Sequence, residues 1–251
     1  MIPAYRITNE GEFTGKKTGY LTEVNDWQMI LLYYVDVIGS YREEFSVCAK
    51  VYADTCLRNM EGRSMKPTDI LKHEHELILV MLQILDTVCA RIEEGEKVNT
   101  EHLADMIDFI KNFADRCHHA KEERILFPEL KQTGIGQENG PIGVMLAEHA
   151  EGRFFVKGMD EALKELKEGD GVAAGRFIAD AGGYVKLLDG HIMKENNILF
   201  RMADERLSDS QQKAMLKEFD RVESEEIGEG VHEKYHEMLH RLRDIYLPAT
   251  S

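Results

Sequence analysis

The sequence predicts an all-α protein: an up-down four-helix bundle with additional helices before and after it. Three observations lead there. Apolar residues recur at three- and four-residue steps through most of the chain, and no alternating run reads as a strand. The 251 residues include only five prolines, with 43% hydrophobic and 31% charged residues, enough to bury a core without crosslinks. The chain also repeats itself, "HHAKEERILF" at 118–127 returning as "HIMKENNILF" at 191–200, as a duplicated helical hairpin would.

Residues 1–66 read as an N-terminal extension with one long helix. A polar lead-in gives way near Asn25 to a helical pattern running to about Met60, and Trp27, Ile30, Leu31, Tyr34, Val35 and Ile38 form its apolar side. That side would bury within the chain or against a second copy, which would make a homodimer. "SMKPTD" breaks the pattern, Pro67 forcing its predecessor out of helix, with Thr68 or Asp69 placed to cap the next helix.

Residues 67–205 carry the bundle. Leu71, His75, Ile78, Leu82 and Leu85 share the first helix's inner face, and Ile107, Ile110, Ala114, His118, Glu122 and Ile125 that of the second. "TGIGQENGP" leads to a third helix with Met145, His149, Val156, Met159 and Leu163 inward. After "KEGDG" the fourth places Phe177, Tyr184, Leu188, His191, Glu195, Ile198 and Met202 inward. Short loops between long amphipathic helices make neighbours antiparallel. Residues 206–251 read as one further amphipathic helix packed on the bundle, stopped by Pro248.

A net charge of −15 and a pI near 5.1 exclude a phosphate-backbone partner, so no nucleic acid is expected. The most apolar run, 27–38, is short and contains Asp36, so no membrane span or export signal is read and the expected compartment is the cytoplasm. Cys48, Cys56, Cys89 and Cys117 form no CxxC pair and read as thiols; Cys117 beside His118 reads as a small core residue rather than a ligand.

The repeat aligns His118, Lys121, Glu122, Ile125, Leu126 and Phe127 with His191, Lys194, Glu195, Ile198, Leu199 and Phe200, and Glu74-His75 with Glu148-His149. Two such hairpins about a pseudo-twofold axis bring His75, His118, Glu122, His149, His191 and Glu195 to the centre. Four imidazoles and two carboxylates cannot be buried without a cation between them. His and Glu at i and i+4 project from one face, so the set suits two metal ions, each taking two imidazoles, with both carboxylates able to bridge. Imidazole and carboxylate without thiolate suits iron or manganese rather than a closed zinc site, and two Fe ions are the assignment. Six donors underfill two such ions, leaving room for a bridging oxo or hydroxo group and for a small ligand such as O2 or NO.

His73, two residues before His75, points elsewhere. His119 and Glu123 also form an i, i+4 pair, but the repeat has Ile192 and Asn196 there, so they are expected behind the ligands or at the surface, with His119→Ala nearly silent. Glu74 and Glu148 could accept from neighbouring groups or stand as exposed charge. His232, His236 and His240 stripe the last helix among charges that mark a solvated face.

On these motifs, the bundle resembles a hemerythrin-like (HHE) cation-binding domain. "HHAKEERILFPELKQ", "GPIGVMLAEH" and "HIMKENNILF" are most similar to the repair of iron centres proteins, a branch linked to the recovery of damaged iron-sulfur clusters under nitrosative and oxidative stress. The resemblance implies a non-haem di-iron centre on His75, His118, Glu122, His149, His191 and Glu195, with Glu122 and Glu195 bridging. It departs from the oxygen-carrying hemerythrins at Arg153, where they place a second His one turn after His149, and at Glu195, where they use Asp. It departs from the repair proteins in having no adjacent cysteine pair, and Arg201 where they usually have Pro.

The functional expectation is a di-iron protein that binds O2, NO or related ligands for sensing, storage or stress protection. The alternatives are an enzyme reducing O2, peroxide or NO, and an iron donor in cluster repair. No GxGxxG or P-loop appears, so electrons for the enzyme would come from a redox partner protein.

Overall fold

The computed structural model describes residues 65–136, 140–228 and 231–247, with the side chains of 226, 227 and 232 excepted. Two compact units divide the chain, Met1–Arg63 and Ser64–Ser251. The expected N-terminal helix, its apolar side and its two cysteines lie outside the described residues.

Six helical rods and no strand make up the described residues. α1 spans Pro67–Glu93. α2 runs through 100–132 as an α-helix at Thr100–Phe109, wider π-helical turns at Ile110–His119 and Glu122–Leu126, and α-helix again at Phe127–Gln132. α3 spans Pro141–Lys167. α4 repeats the α2 pattern, α-helical at Ala173–Lys194, π-helical at Glu195–Leu199 and α-helical at Phe200–Arg206. α5 is Asp209–Arg221 with a π-helical end, Val222–Ile227, and α6 is Val231–Tyr246.

Local chemistry sets the boundaries. Pro67 opens α1 at its first helical position, where its missing N–H costs nothing, and Asp69 accepts from the Lys66 N–H at 3.0 Å. Asn99 caps α2 by accepting from the Glu101 N–H, Pro141 opens α3, and Ser208 with Gln211 forms a reciprocal capping box on α5. The single terminal helix expected after residue 206 is instead two rods. Gly228 has φ +97, a left-handed conformation that stops α5 and lets the chain turn into α6.

α1 to α4 form the bundle, α3 packing most closely on α4, α4 also on α1, and α2 on α3. Gly183 is what allows the α3–α4 approach, since a Cβ there would lie 2.5 Å from the Phe155 ring. α6 lies along α1, and α5 packs against α1 and the wide turns of α2. An apolar cluster of Leu71, Leu126, Phe127, Leu199, Phe200 and Phe219 closes one end of the bundle. Among the described residues no helix is long and apolar enough to cross a membrane.

The inner faces of α1 and α3 are as the periodicity predicts, but α2 and α4 slip by one residue after Glu122 and Glu195. Leu199 and Ala203 are buried where Ile198 and Met202 were expected, and Ile198 is 53% exposed. A π turn takes in one more residue than an α turn, so a 3.6-residue pattern loses its phase there.

Gly183→Ala is expected to cost about 1–3 kcal/mol by overpacking α3 against α4, read by urea denaturation; an unchanged midpoint would mean that Phe155 moves aside freely.

Candidate metal centre

All six side chains predicted for the centre meet there. His75, His118, Glu122, His149, His191 and Glu195 are each 1% exposed or less. His75, His118, Glu122 and Glu195 form one group whose donor atoms lie within 4.8 Å of one another, and Glu122, His149 and His191 form a second that shares Glu122. The second group has a fourth member, His119.

The repeat organises the contacts. Glu195 Oε2 lies 3.2 Å from Nε2 of both His191, on its own helix, and His75 of the other hairpin. Glu122 does the same at longer range, 3.7 Å from His118 and 3.5 Å from His149. Each carboxylate therefore spans from its own hairpin to the other.

Every imidazole is held by its outer nitrogen. His118 Nδ1 meets Glu74 at 2.9 Å and His191 Nδ1 meets Glu148 at 2.9 Å, within each hairpin. His75 Nδ1 meets Asn196 at 2.9 Å and His149 Nδ1 meets Glu123 at 2.7 Å, across hairpins. An Nδ1–H donated to a carboxylate or amide oxygen leaves Nε2 with its lone pair facing inward, the tautomer that a cation requires. Phe200 stacks on His75 and Phe127 on His149, so the repeated Phe of each motif lies against the other hairpin's lone histidine.

Nε2 of His149 and Nε2 of His191 lie 3.1 Å apart, and the other inward-facing atoms lack partners. Nε2 of His75, His118 and His119 and both oxygens of Glu122 and Glu195 are buried without a hydrogen bond among the described residues. Burial and the charge of Glu195 push the Glu122 carboxyl well above its ordinary range. Burial acts on Glu195 in the same direction, but the imidazoles of His191 and His75 hold it well below. Burial and the neighbouring His75 bring His118 down to about 4, against the pull of Glu74. Acceptor-rich, mutually repelling and shut from water, this donor set fits a bound cation, which would satisfy the inward nitrogens and both carboxylates at once.

Behind each half stands a lysine. Lys121 is fully buried between Glu74 and Glu223, and Lys194 pairs with Glu148 at a half-exposed position. Burial would raise Glu74, but the Lys121 ammonium and the His118 hydrogen bond hold it far below. Glu74, Cys117 and Glu223 also cluster, but the Lys121 ammonium already pairs with both of these carboxylates. Burial and Glu74 push the Cys117 thiol up to about 12, so it stays a neutral core residue as predicted.

Two expectations need correction. His119 is neither surface nor behind the ligands: it is 4% exposed, its ring stacks on His149 at 3.9 Å, and its Nε2 faces inward. His118 and His119 are both buried, as are His191 and Ile192 at the matching positions of α4. Glu123, expected behind the ligands or at the surface, lies behind them and orients His149, and Asn196 at its repeat position orients His75. The signal was in the sequence, since repeat-equivalent polar residues sit one step past each Glu ligand. Glu74 is likewise buried rather than exposed. His73 turns away as predicted, 3.4 Å from Glu76 and with its ring 6.4 Å from that of His236.

These features define a class: a helical bundle with a cation-binding cluster of His and Glu at its centre. The chain belongs to the hemerythrin family, residues 66–203 matching the family model of the hemerythrin HHE cation binding domain. It is 22% identical over 163 residues to the uncharacterised protein Rv1995 of Mycobacterium tuberculosis, covering 65% of this chain and 63% of that one. It is 39% identical over 89 residues to the iron-sulfur cluster repair protein YtfE of Salmonella typhimurium, and 37% over 89 residues to that of an Escherichia coli strain, covering 34% of this chain and 40% of each. No solved structure matches.

Lys121→Met is expected to cost about 3–5 kcal/mol in urea denaturation, because Glu74 would lose its buried counter-charge. Glu223→Gln should cost clearly less, since that carboxylate is 40% exposed; equal losses would contradict the buried pairing.

Proposed function

We propose that the chain is a non-haem di-iron protein whose centre is held by His75, His118, Glu122, His149, His191 and Glu195, and that it binds O2, NO or a related small ligand. One observation carries the reading: two donor groups share Glu122, and every imidazole in them is tied by Nδ1 outward so that Nε2 converges inward. A structural zinc site would use fewer donors around one ion, commonly with thiolate. Imidazoles bridged by carboxylates in a bundle core suit iron. When bound, the iron pair would supply reversible redox and small-ligand chemistry. The six residues would hold it, with Phe200 and Phe127 stacked on His75 and His149 and with Glu74, Asn196, Glu123 and Glu148 holding the four Nδ1 atoms outward.

The likeness to the YtfE proteins supports a second reading, delivery of iron to damaged iron-sulfur clusters. It spans 40% of that protein, so that role is carried here as a proposal. A binding protein gives a stable reversible adduct, a reductase turns over once a reductant or redox partner is supplied, and a donor loses iron to an apo-cluster acceptor.

Protein purified without oxygen is expected to contain about two irons per chain and to gain near-ultraviolet and visible bands on exposure to air or NO. Zinc, or no metal in folded protein, would refute the reading. Glu122→Ala and Glu195→Ala are each expected to lose most of the iron; full loading in either would sink its assignment as a bridge.

A further inference from the structure

We infer that His119 is a third imidazole donor to the metal position formed by Glu122, His149 and His191, so that the two positions of the centre are chemically unequal. This rests on the dinuclear reading above and adds a ligand outside its six.

His119 has the same signature as His75 and His118. Its outer nitrogen, Nδ1, lies 3.3 Å from Asp115 Oδ1, and its Nε2 is buried without a partner among the described residues, within ligand range of Glu122, His149 and His191. Asp115 is an anion: burial acts to raise it, but hydrogen bonds from His119 and Arg153 hold it far below its ordinary range. An anionic acceptor at Nδ1 places the ring's proton there and leaves Nε2 as a lone pair aimed at the centre.

Arg153 braces this arrangement. Its guanidinium donates to Asp115 at 2.8 Å and to Glu123 at 2.8 Å, the two carboxylates that hold Nδ1 of His119 and of His149. One side chain thereby fixes both stacked rings.

The repeat argues against a packing role. The positions matching Asp115, His119 and Arg153 in the other hairpin hold Leu188, Ile192 and Leu79, with Leu188 and Ile192 buried. Isoleucine fills the interior adequately in that copy. Here an imidazole, its carboxylate and an arginine replace three apolar residues together, which filling space does not require and orienting a ligand does.

A cleft of about 230 Å³, lined in part by Asp115, His119, Gly152, Arg153 and Tyr184, reaches His119 from outside. His119 thus stands between that cleft and the second donor group, where a small molecule could take its place.

The test titrates Fe(II) anaerobically into metal-free wild type and His119→Ile, the residue the other hairpin uses, with bound iron and absorption as readouts. Wild type should take up two ions, while His119→Ile should keep one and bind the second at least about ten-fold more weakly, the loss that even an orienting partner's removal can cause. In His119→Gly, free imidazole entering by the cleft should restore the second ion and its bands. Two ions bound by His119→Ile with wild-type affinity and spectrum would overturn this inference alone. Fewer than two in wild type would overturn the dinuclear reading and this one with it.

Discussion

Two carboxylates, Glu122 and Glu195, lie fully buried at the middle of four helices with only imidazoles beside them, and the rest of the structure answers to that constraint. A buried carboxylate without a partner costs several kcal/mol even after relaxation, and two side by side repel. Burial and Glu195 push Glu122 up, while the imidazoles of His191 and His75 hold Glu195 down. A divalent cation would be a far better counter-charge, so metal uptake would also stabilise the fold.

That constraint explains why so much chain is spent behind the donors. An imidazole in an apolar core would be free to turn and to choose its tautomer; Glu74, Asn196, Glu123 and Glu148 remove that freedom by fixing each Nδ1. Two of the four come from the same hairpin and two from the other, so the orientation of His75 and His149 depends on both halves being docked. The phenylalanines obey the same rule, each covering a histidine of the opposite hairpin. A hairpin alone would hold its paired histidine by Nδ1, but not its lone one.

The fold class, the repeat and all six central side chains were legible because duplication leaves a signal in residue identity that does not depend on helix geometry. His118 and His191 align letter by letter whatever turn they lie on. The features that depended on geometry were lost. A 3.6-residue pattern puts Ile198 inside, and the π turn reverses it; the repeat, with Ile192 in its place, argues against His119, although Ile192 is itself buried. Wide turns are common where a helix must offer adjacent residues to one site, so the phase broke at the chemistry and held elsewhere. The terminal helix divides for a smaller reason: the amphipathic pattern runs on through "IGEG", yet Gly228 is a residue on which a helix readily stops.

The helices beyond the matched family segment belong to the electrostatics of the centre. Residues 66–203 carry every central donor, yet Glu223, in the π-helical end of α5, closes the chain Glu223–Lys121–Glu74–His118 that ends at the outer nitrogen of a donor imidazole. The corresponding chain in the other hairpin is Lys194–Glu148–His191, and its lysine is 39% exposed where Lys121 is fully covered. Phe219 completes the cover, its ring 5.7 Å from the Lys121 ammonium. Solvent screens the Lys194 pair and does not reach the Lys121 pair, so Glu74 grips His118 in a lower dielectric than Glu148 grips His191. Two hairpins that began as copies therefore present their donors with different strength, and α5 is the element that makes them differ.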